Sequence, residues 1–181
     1  IFQDVLAYVV LLISLLLFHA LFTYSIFLKF IGGLSPITFF KKIKNVALFA
    51  FSTSSSAATI PVTLKTVNQD LGVNQNVASF VVPVGATINM DGTAIMQGLA
   101  TVFIAQMSGI DLTLFQYAQV VLLAVATSIG TAAVPSAGTI TLIIILQQFN
   151  LPLEAIGIIL AVDRVLDMIR TSVNVTGDAA I

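Results

Sequence analysis

Residues 52–61 read STSSSAATIP, and they interrupt an apolar stretch that begins at Val46. Ser and Thr hydroxyls compete for backbone hydrogen bonds, and Pro61 lacks the N–H that a helix interior requires. The apolar segments on either side are each shorter than the about 20 residues that cross a bilayer. The pattern therefore predicts two half-length helices that meet at a Ser-rich turn and form a hairpin over residues 36–70.

The composition indicates that this hairpin belongs to a membrane protein. Of the 181 residues, 58% are hydrophobic and 8% are charged, whereas soluble domains carry about 25% charged residues. The mean hydropathy is +1.08, which argues against both a soluble enzyme and a disordered segment. A net charge of −1 offers nucleic acid no basic surface, and the absence of cysteine excludes disulfides and thiolate metal sites. Because the chain starts with Ile1 rather than Met, we interpret it as a fragment or a processed chain.

A second interruption has the same character. Residues 128–138 read SIGTAAVPSAG between two apolar runs, which predicts a second hairpin over residues 112–149. Either interruption alone could be a kink or a close contact between helices. Two of them, each followed by a helix that carries Asn and Asp, are typical of transporter repeats, in which irregular backbone lines a cavity at membrane depth.

Three further segments are predicted to span the bilayer. A straight helix from Val77 to Met107 would rise roughly 46 Å, which exceeds the hydrocarbon thickness of about 30 Å. Its middle, residues 83–93, reads PVGATINMDGT, a run rich in residues that disfavour helix interiors. We therefore predict an interrupted helix over residues 75–108, together with spanning helices over residues 1–31 and 152–181.

The charges in the short loops predict an orientation for these segments. Five lysines lie between the first helix and the interrupted one: Lys29, Lys41, Lys42, Lys44 and Lys65. Cytoplasmic loops are enriched in Lys and Arg, so this side is predicted to be cytoplasmic, and the two hairpins then enter from opposite faces. The predicted fold class is an all-α, multi-pass membrane protein, in which two re-entrant hairpins form an inverted repeat around a broken central helix.

The last predicted helix contains a stripe of polar and charged residues on one face. Six polar residues fall within a 100° arc of this helix at 100° per residue: Asp163, Asp167, Arg170, Thr171, Asn174 and Asp178. An ionised side chain at the bilayer centre costs from about 2.5 to more than 10 kcal/mol, so this stripe must face protein or water. One interpretation is a set of structural ion pairs such as Asp167 with Arg170, and the other, which we favour, is a binding site.

The residue types of the stripe indicate what such a site would bind. The planar fork of Arg170 suits a carboxylate, and Asp167, three residues away, suits an ammonium group. Asn174 and Asp178 supply oxygen ligands of the kind that small cations prefer. Freed carbonyls of the broken helix, with Asn89 and Asp91, could complete a sodium site, and the exposed N–H groups at residues 57–59 could bind a carboxylate.

Four strings in this order resemble the dicarboxylate/amino acid:cation symporters, the glutamate transporter family. They are SSSAATIP (54–61), NMDGT (89–93), GTAAVP (130–135) and DMIRTSVNVTGD (167–178). The resemblance implies that the chain runs from the sixth helix through hairpin 1, helix 7 and hairpin 2 to helix 8 of the transport domain. It also implies sodium-coupled, elevator-type transport of glutamate or aspartate across the plasma membrane and, for the full-length protein, a homotrimer.

The same resemblance assigns the site residues. Arg170 would bind the side-chain carboxylate of the substrate and Asp167 its ammonium group. The rest of the substrate site would comprise Asn174, Thr171, Thr93, Ser54, Ser55, Ser56, Val134 and Gly138. One sodium would bind at Gly85, Asn89, Asn174 and Asp178, and a second at Thr87, Met90, Ser128, Ile129 and Thr131. A third would use Asn89 and Asp91 with a helix that this chain does not include.

Some positions depart from the pattern of the family. Ser54 stands where some prokaryotic relatives have Arg, so the guanidinium must come from the last helix. Gln97 stands where proton-coupled animal relatives have Glu, which argues against proton countertransport by that route, although H⁺ in place of Na⁺ stays open. His19 is alone on an apolar helix, and we interpret it as a packing residue rather than a proton relay.

Alternatives remain open at this stage. Within the same family, a carrier of C4-dicarboxylates or of neutral amino acids is possible, although the acidic Asp167 and Asp178 favour an amino acid. An intramembrane protease would need paired aspartates, such as Asp91 and Asp178, or a Ser with His19. Residues 175–178 lack the first Gly of the Gly-x-Gly-Asp sequence that aspartyl types use, and the Ser54–Ser56 cluster has no Gly-x-Ser context. A channel is the third class, and saturable, sodium-dependent uptake would distinguish a transporter from it.

Overall fold

The computed structural model describes residues 2–181, and within that range it contains helices and no strands. The elements in chain order are α1 (Phe2–Phe18), a π-helical turn (His19–Thr23), α2 (Tyr24–Phe30), α3 (Pro36–Thr53), α4 (Ser56–Gln69), α5 (Gln75–Ile88), α6 (Asp91–Met107), α7 (Leu114–Ile129), α8 (Ala137–Gln148), a 3-10 turn (Leu153–Ala155) and α9 (Ile156–Ala180). The all-helical class is the one that the pattern of apolar segments predicts.

The first helix is continuous through the π-helical turn. Of the helices within residues 2–181, Phe2–Phe30 is the one whose length and apolar composition are sufficient to cross a membrane. Large apolar side chains such as Leu6, Val10 and Phe22 are more than half exposed on its outer side. Exposure on this scale is expected where a helix faces lipid rather than water.

The first interruption is narrower than the ten residues that the sequence indicates. α3 continues through Thr53 and α4 begins at Ser56, so the break comprises Ser54 and Ser55 alone. Ser54 adopts the left-handed conformation, with φ of 51°, and the Ser55 hydroxyl caps α4 by accepting a hydrogen bond from the Ala58 N–H. Because one strong cap ends the break, the following residues, including the interior Pro61, stay helical.

The second interruption is longer and is a true loop. Residues 130–136 separate α7 from α8, and Ser136 at its end has φ of 60°. α7 begins with a capping box, in which the Thr113 hydroxyl and the Gln116 side chain each bond to the backbone of the other residue. α3 packs on α4 and α7 packs on α8, so both segments are helical hairpins.

The central helix is interrupted where its glycines, Asn and Asp cluster. α5 ends at Ile88, Asn89 and Met90 are not helical, and α6 begins at Asp91. The glycines on either side let this break approach α9 closely. A Cβ on Gly92 would lie 2.9 Å from Asn174 Oδ1, and one on Gly85 would lie 3.1 Å from Asp178 Oδ1.

α9 is the centre of the fold. It packs against α1 to α6 and α8, and all six residues of its polar stripe are buried, each at most 5% exposed. Leu166 and Val173, which lie on other faces, are also buried, so protein surrounds the second half of this helix on all sides. The stripe therefore faces protein, as the cost of burying charge in lipid requires.

Gly177 allows the central break and α2 to approach α9 closely. A Cβ at this position would lie 2.3 Å from Asn89 Nδ2 and 2.5 Å from Tyr24 Oη, whereas a Cβ on Gly157, in the same helix, would meet nothing within 4 Å. The difference predicts opposite effects of the same substitution at the two positions.

We expect Gly177→Ala to destabilise the protein by about 1–3 kcal/mol because the added methyl group overpacks this contact. Gly157→Ala is the matched control, and it should be neutral or stabilising by up to about 1 kcal/mol because Ala favours helix. The melting temperatures of both variants in detergent, measured as the loss of the folded peak in size-exclusion chromatography after heating, check these expectations. Equal melting temperatures for the two variants would contradict the close contact.

Candidate functional site

One small polar cavity joins both hairpin turns to the central break and to α9. Its lining residues are Ser54 and Ser56 from the first turn, Met90 and Thr93 at the break, Thr131, Ala132, Ala133, Val134 and Gly138 from the second hairpin, and Asp167, Arg170, Thr171 and Asn174 from α9. The cavity volume is about 10 Å³, roughly the least that admits a single water molecule. Nine of the ten residues predicted to bind substrate therefore line one cavity.

The Arg170 guanidinium is paired with two carboxylates on its own helix. Nη2 lies 2.5 Å from Asp167 Oδ1, and Nη1 lies 3.4 Å from Asp163 Oδ1. All three side chains are at most 5% exposed. The ion pairs that the sequence offers as an alternative to a binding site are thus present, and they balance the charge of the guanidinium while the cavity is closed.

The second hairpin is attached to this ion pair through its backbone. The Ser136 N–H donates a 2.9 Å hydrogen bond to Asp167 Oδ2. Since Ser136 is the left-handed residue that precedes α8, its N–H is not used within a helix and is available for the carboxylate. One oxygen of Asp167 therefore binds Arg170 and the other binds the turn of the second hairpin.

The two hairpin turns also bind each other directly. The Ala133 carbonyl accepts hydrogen bonds from the Ser55 hydroxyl at 2.8 Å and from the Ala57 N–H at 3.2 Å. Ser55 is the one predicted substrate residue that lies outside the cavity lining, because its hydroxyl caps α4 and joins the turns. The neighbouring Ser54 Oγ is buried and has no hydrogen-bond partner within residues 2–181.

Asn174 connects α9 to the start of α6. Its Oδ1 accepts a 2.7 Å hydrogen bond from the Gly92 N–H, and its amide donates to Thr93 Oγ1 at 3.2 Å. The Gly92 N–H is in the first turn of α6, where backbone donors have no partner within the helix. In this conformation the Asn174 side chain holds the broken helix rather than pointing free into the cavity.

The residues predicted for the first sodium site lie together beside this cavity. Asn89 Nδ2 donates to Asp178 Oδ1 at 3.0 Å and to the Asn174 carbonyl at 3.2 Å. Gly85 packs directly on the Asp178 carboxylate. Residues 2–181 contain no cluster of three or more His, Cys, Asp or Glu side chains, so a cation here would combine the Asp178 carboxylate with amide and backbone oxygens, which are the ligands that hard cations accept.

The residues predicted for the second sodium site are less closely grouped. Met90 and Thr131 line the same cavity. Thr87 is exposed on α5, where its hydroxyl donates to the Pro83 carbonyl. The Ser128 carbonyl accepts the Thr131 N–H, and the neighbouring Ile129 is 43% exposed.

Asp91 directly follows the central break and has partners that the sequence does not indicate. Its Oδ2 is 3.0 Å from His19 Nε2 and 3.2 Å from the Tyr24 hydroxyl. The two partners lie more than 60 positions away in the chain, where His19 begins the π-helical turn and Tyr24 directly follows it. No local pattern in the sequence marks that turn.

Gln97 clamps the two arms of the second hairpin. It is fully buried, its amide donates to the Gly138 carbonyl at 3.0 Å and to Thr141 Oγ1 at 2.7 Å, and its Oε1 accepts from Thr127 Oγ1 at 2.8 Å. Because Thr127 is in α7 and Thr141 is in α8, this one side chain joins both arms to α6. A neutral amide supplies the donors and the acceptor at once.

The comparison with known proteins identifies the family of this chain. The family model described as the sodium:dicarboxylate symporter family matches residues 1–181. An excitatory amino acid transporter of Caenorhabditis elegans is 42% identical over 95% of this chain and 34% of its own length. Human excitatory amino acid transporter 5 is 43% identical over 91% of the chain and 29% of its own length.

Human excitatory amino acid transporter 2 is 48% identical over 80% of the chain and 25% of its own length. The chain thus spans roughly a quarter to a third of the length of these relatives. The match to the family model covers every residue, and it decides against the intramembrane protease. The chain belongs to the sodium:dicarboxylate symporter family, a family of transporters and not of enzymes.

Proposed function

We propose that this chain is the substrate-binding part of a secondary symporter that carries glutamate or aspartate across the plasma membrane, coupled to Na⁺. The observation that supports this most directly is the buried group of Arg170 and two carboxylates in a cavity formed by both hairpin turns. The site residues predicted from the sequence take the roles assigned to them there. The similarity to excitatory amino acid transporters supports this substrate class.

The charges of the site favour a substrate that carries both signs. Arg170 already binds carboxylates on its own helix, so an incoming carboxylate can replace one of them without leaving the guanidinium unpaired. The carboxylate that is displaced then needs a cation, and the ammonium group of an amino acid supplies it at Asp167. A dicarboxylate without an ammonium group would leave the negative charge of Asp167 uncompensated, so we consider C4-dicarboxylates a weaker candidate. A neutral amino acid has no side-chain carboxylate for Arg170, so we consider it weaker than an acidic one.

The first hairpin provides a place for the α-carboxylate. The Ser54 hydroxyl has no partner within the described residues, and Ser56 opens α4 with its N-terminal N–H groups close to the cavity. In the closed state the Ala57 N–H is bonded to the Ala133 carbonyl, and it would become available to an anion once the turns separate. The positive end of the helix dipole favours an anion at this position. Ser55 stays a proposed substrate residue, because its hydroxyl binds the other turn in the closed state and would be released when the turns separate.

Sodium would couple to the substrate through α9. Gly85, Asn89 and Asp178 lie on one side of Asn174, and the substrate cavity lies on the other. A cation held there would fix the start of α6, and with it Thr93 in the cavity wall. By linkage, each ligand raises the affinity of the other by the same factor. The same proposal includes a third sodium site at Asn89 and Asp91. It also includes the second sodium site, which comprises Thr87, Met90, Ser128, Ile129 and Thr131.

Substrate entry requires the turns to separate. A cavity of about 10 Å³ cannot hold an amino acid, and the closed state is held by the Ala133 carbonyl and the Ser136 N–H. We infer that the second hairpin is the gate, since its turn contributes both of those groups. In the membrane, the two hairpins would be re-entrant from opposite faces, within a multi-pass, elevator-type protein that forms a homotrimer.

Sodium-dependent binding tests the proposal as a whole. In the full-length protein, we expect aspartate or glutamate to bind at least about tenfold more tightly in sodium chloride than in choline chloride, because linkage makes sodium favour the substrate-bound state. Isothermal titration calorimetry with aspartate, glutamate, serine and succinate measures this. Affinities that are indifferent to sodium would contradict the coupling, and a preference for succinate would favour the dicarboxylate alternative.

Arg170→Cys tests the role of the guanidinium. We expect the affinity of this variant for acidic substrates to fall by at least about 30-fold, since removing one partner of a buried ion pair costs about 2 kcal/mol or more. Binding of serine should fall much less. Arg164→Cys, an exposed arginine of the same helix, is the matched control. Equal glutamate affinity in the two variants would remove Arg170 from its assigned role.

A cross-link between the turns tests the gate. In a cysteine-free background, cysteines at Ala57 and Ala133 should form a disulfide readily, because their backbones are hydrogen bonded in the closed state. Saturating aspartate and sodium should slow its formation, and the cross-linked protein should not bind aspartate until it is reduced. Full aspartate affinity in the oxidised protein would show that the turns need not separate.

A further inference from the structure

The π-helical turn in the first helix brings two side chains to one face. The Tyr24 N–H donates to the His19 carbonyl, an i→i+5 hydrogen bond, over the turn His19–Thr23. In a regular α-helix, residues five apart differ in direction by about 140°. Here the two rings are 4.8 Å apart between centroids and meet edge to face at 72°. π-turns are rare, and they occur frequently at functional sites.

Both rings reach the same oxygen of the same carboxylate. Asp91 Oδ2 lies 3.0 Å from His19 Nε2 and 3.2 Å from Tyr24 Oη. Because an ionised carboxylate can only accept, both ring groups act as donors. Tyr24 is 5% exposed, and its hydroxyl also approaches the Val173 carbonyl at 3.4 Å. The tyrosine is thus held between α6 and α9.

These two bonds leave one side of Asp91 available. No hydrogen bond within residues 2–181 reaches its other oxygen, Oδ1, and its side chain remains 38% exposed. Asp91 is also the first residue of α6, directly after the break that contains Asn89. A carboxylate fixed by one oxygen and open at the other is suited to bind a cation in a defined direction.

We propose that His19 and Tyr24 are positioning residues for Asp91 as a sodium ligand, and that the π-helical turn exists to place both donors on Oδ2. The inference rests on the proposed function, which assigns Asp91 to a sodium site with Asn89. It gives His19 a role that is neither packing alone nor proton transfer. Hydrogen bonds to ligating carboxylates orient them, and losing such a partner typically lowers metal affinity by about 10-fold or more.

Tyr24→Phe provides the sharpest test because it removes one hydroxyl and keeps the ring. The matched control is Tyr8→Phe, the same change in the same helix, where the hydroxyl is buried without a hydrogen-bond partner among the described residues. In proteoliposomes of the full-length protein, the sodium concentration for half-maximal aspartate uptake should rise about tenfold in Tyr24→Phe. It should be unchanged in Tyr8→Phe, and the maximal rate at saturating sodium should stay similar in both.

His19 is tested by a pair of variants. His19→Leu removes the donor and should raise the sodium requirement as Tyr24→Phe does, whereas His19→Gln keeps an N–H donor and should restore most of the sodium affinity. For any variant that transports poorly, the sodium-induced rise in melting temperature in detergent reports sodium binding without transport. That rise should be smaller in His19→Leu and Tyr24→Phe than in wild type at the same sodium concentration.

The outcomes separate this inference from the proposed function. Sodium-dependent uptake in wild type, with the same sodium midpoint in Tyr24→Phe, His19→Leu and Tyr8→Phe, would overturn the positioning role and leave the symporter intact. Failure of His19→Gln to restore sodium affinity would also count against the role of the donor. Uptake that is independent of sodium in wild type would overturn the proposed function itself.

Discussion

The whole site is organised around the burial of one guanidinium. A charge in a nearly water-free interior must be paired, and Arg170 meets that requirement with Asp163 and Asp167 from its own helix. The second carboxylate oxygen of Asp167 is then satisfied by the Ser136 N–H of the second hairpin. Electrostatic necessity within α9 therefore decides where a hairpin turn must lie, and the first hairpin follows because its turn binds the second.

The ends of the interrupted helices supply most of the other hydrogen-bonding groups around the cavity. The first turn of α6 offers the Gly92 N–H to Asn174, and the loop before α8 offers the Ala133 carbonyl and the Ser136 N–H. A continuous helix would use these groups internally, and a bilayer would leave them unsatisfied. Broken helices are therefore tolerated here because α9 and the opposite hairpin provide the missing partners.

The structural and the functional interpretations of the charged stripe are compatible. The ion pairs of Arg170 balance its charge in the closed cavity, and under the proposed function they are the groups that an amino acid of complementary charge would replace. Asp91 is held in a comparable way outside the cavity. Donors from the first helix bind one of its oxygens and leave the other open. In both places, a protein group fixes a charge that a ligand could share.

The sequence by itself determined the helical class, the positions of three helix breaks and the polar face of α9, because hydrophobic period and helix-breaking residues act over a few positions of the chain. It overestimated the first break, since one Ser cap restores the helix within two residues. It did not indicate the bonds of His19 and Tyr24 to Asp91, the clamp of Gln97 or the bond between the hairpin turns. Those contacts join residues that are 30 or more positions apart, and only the packing of α9 against the other helices decides which distant groups meet.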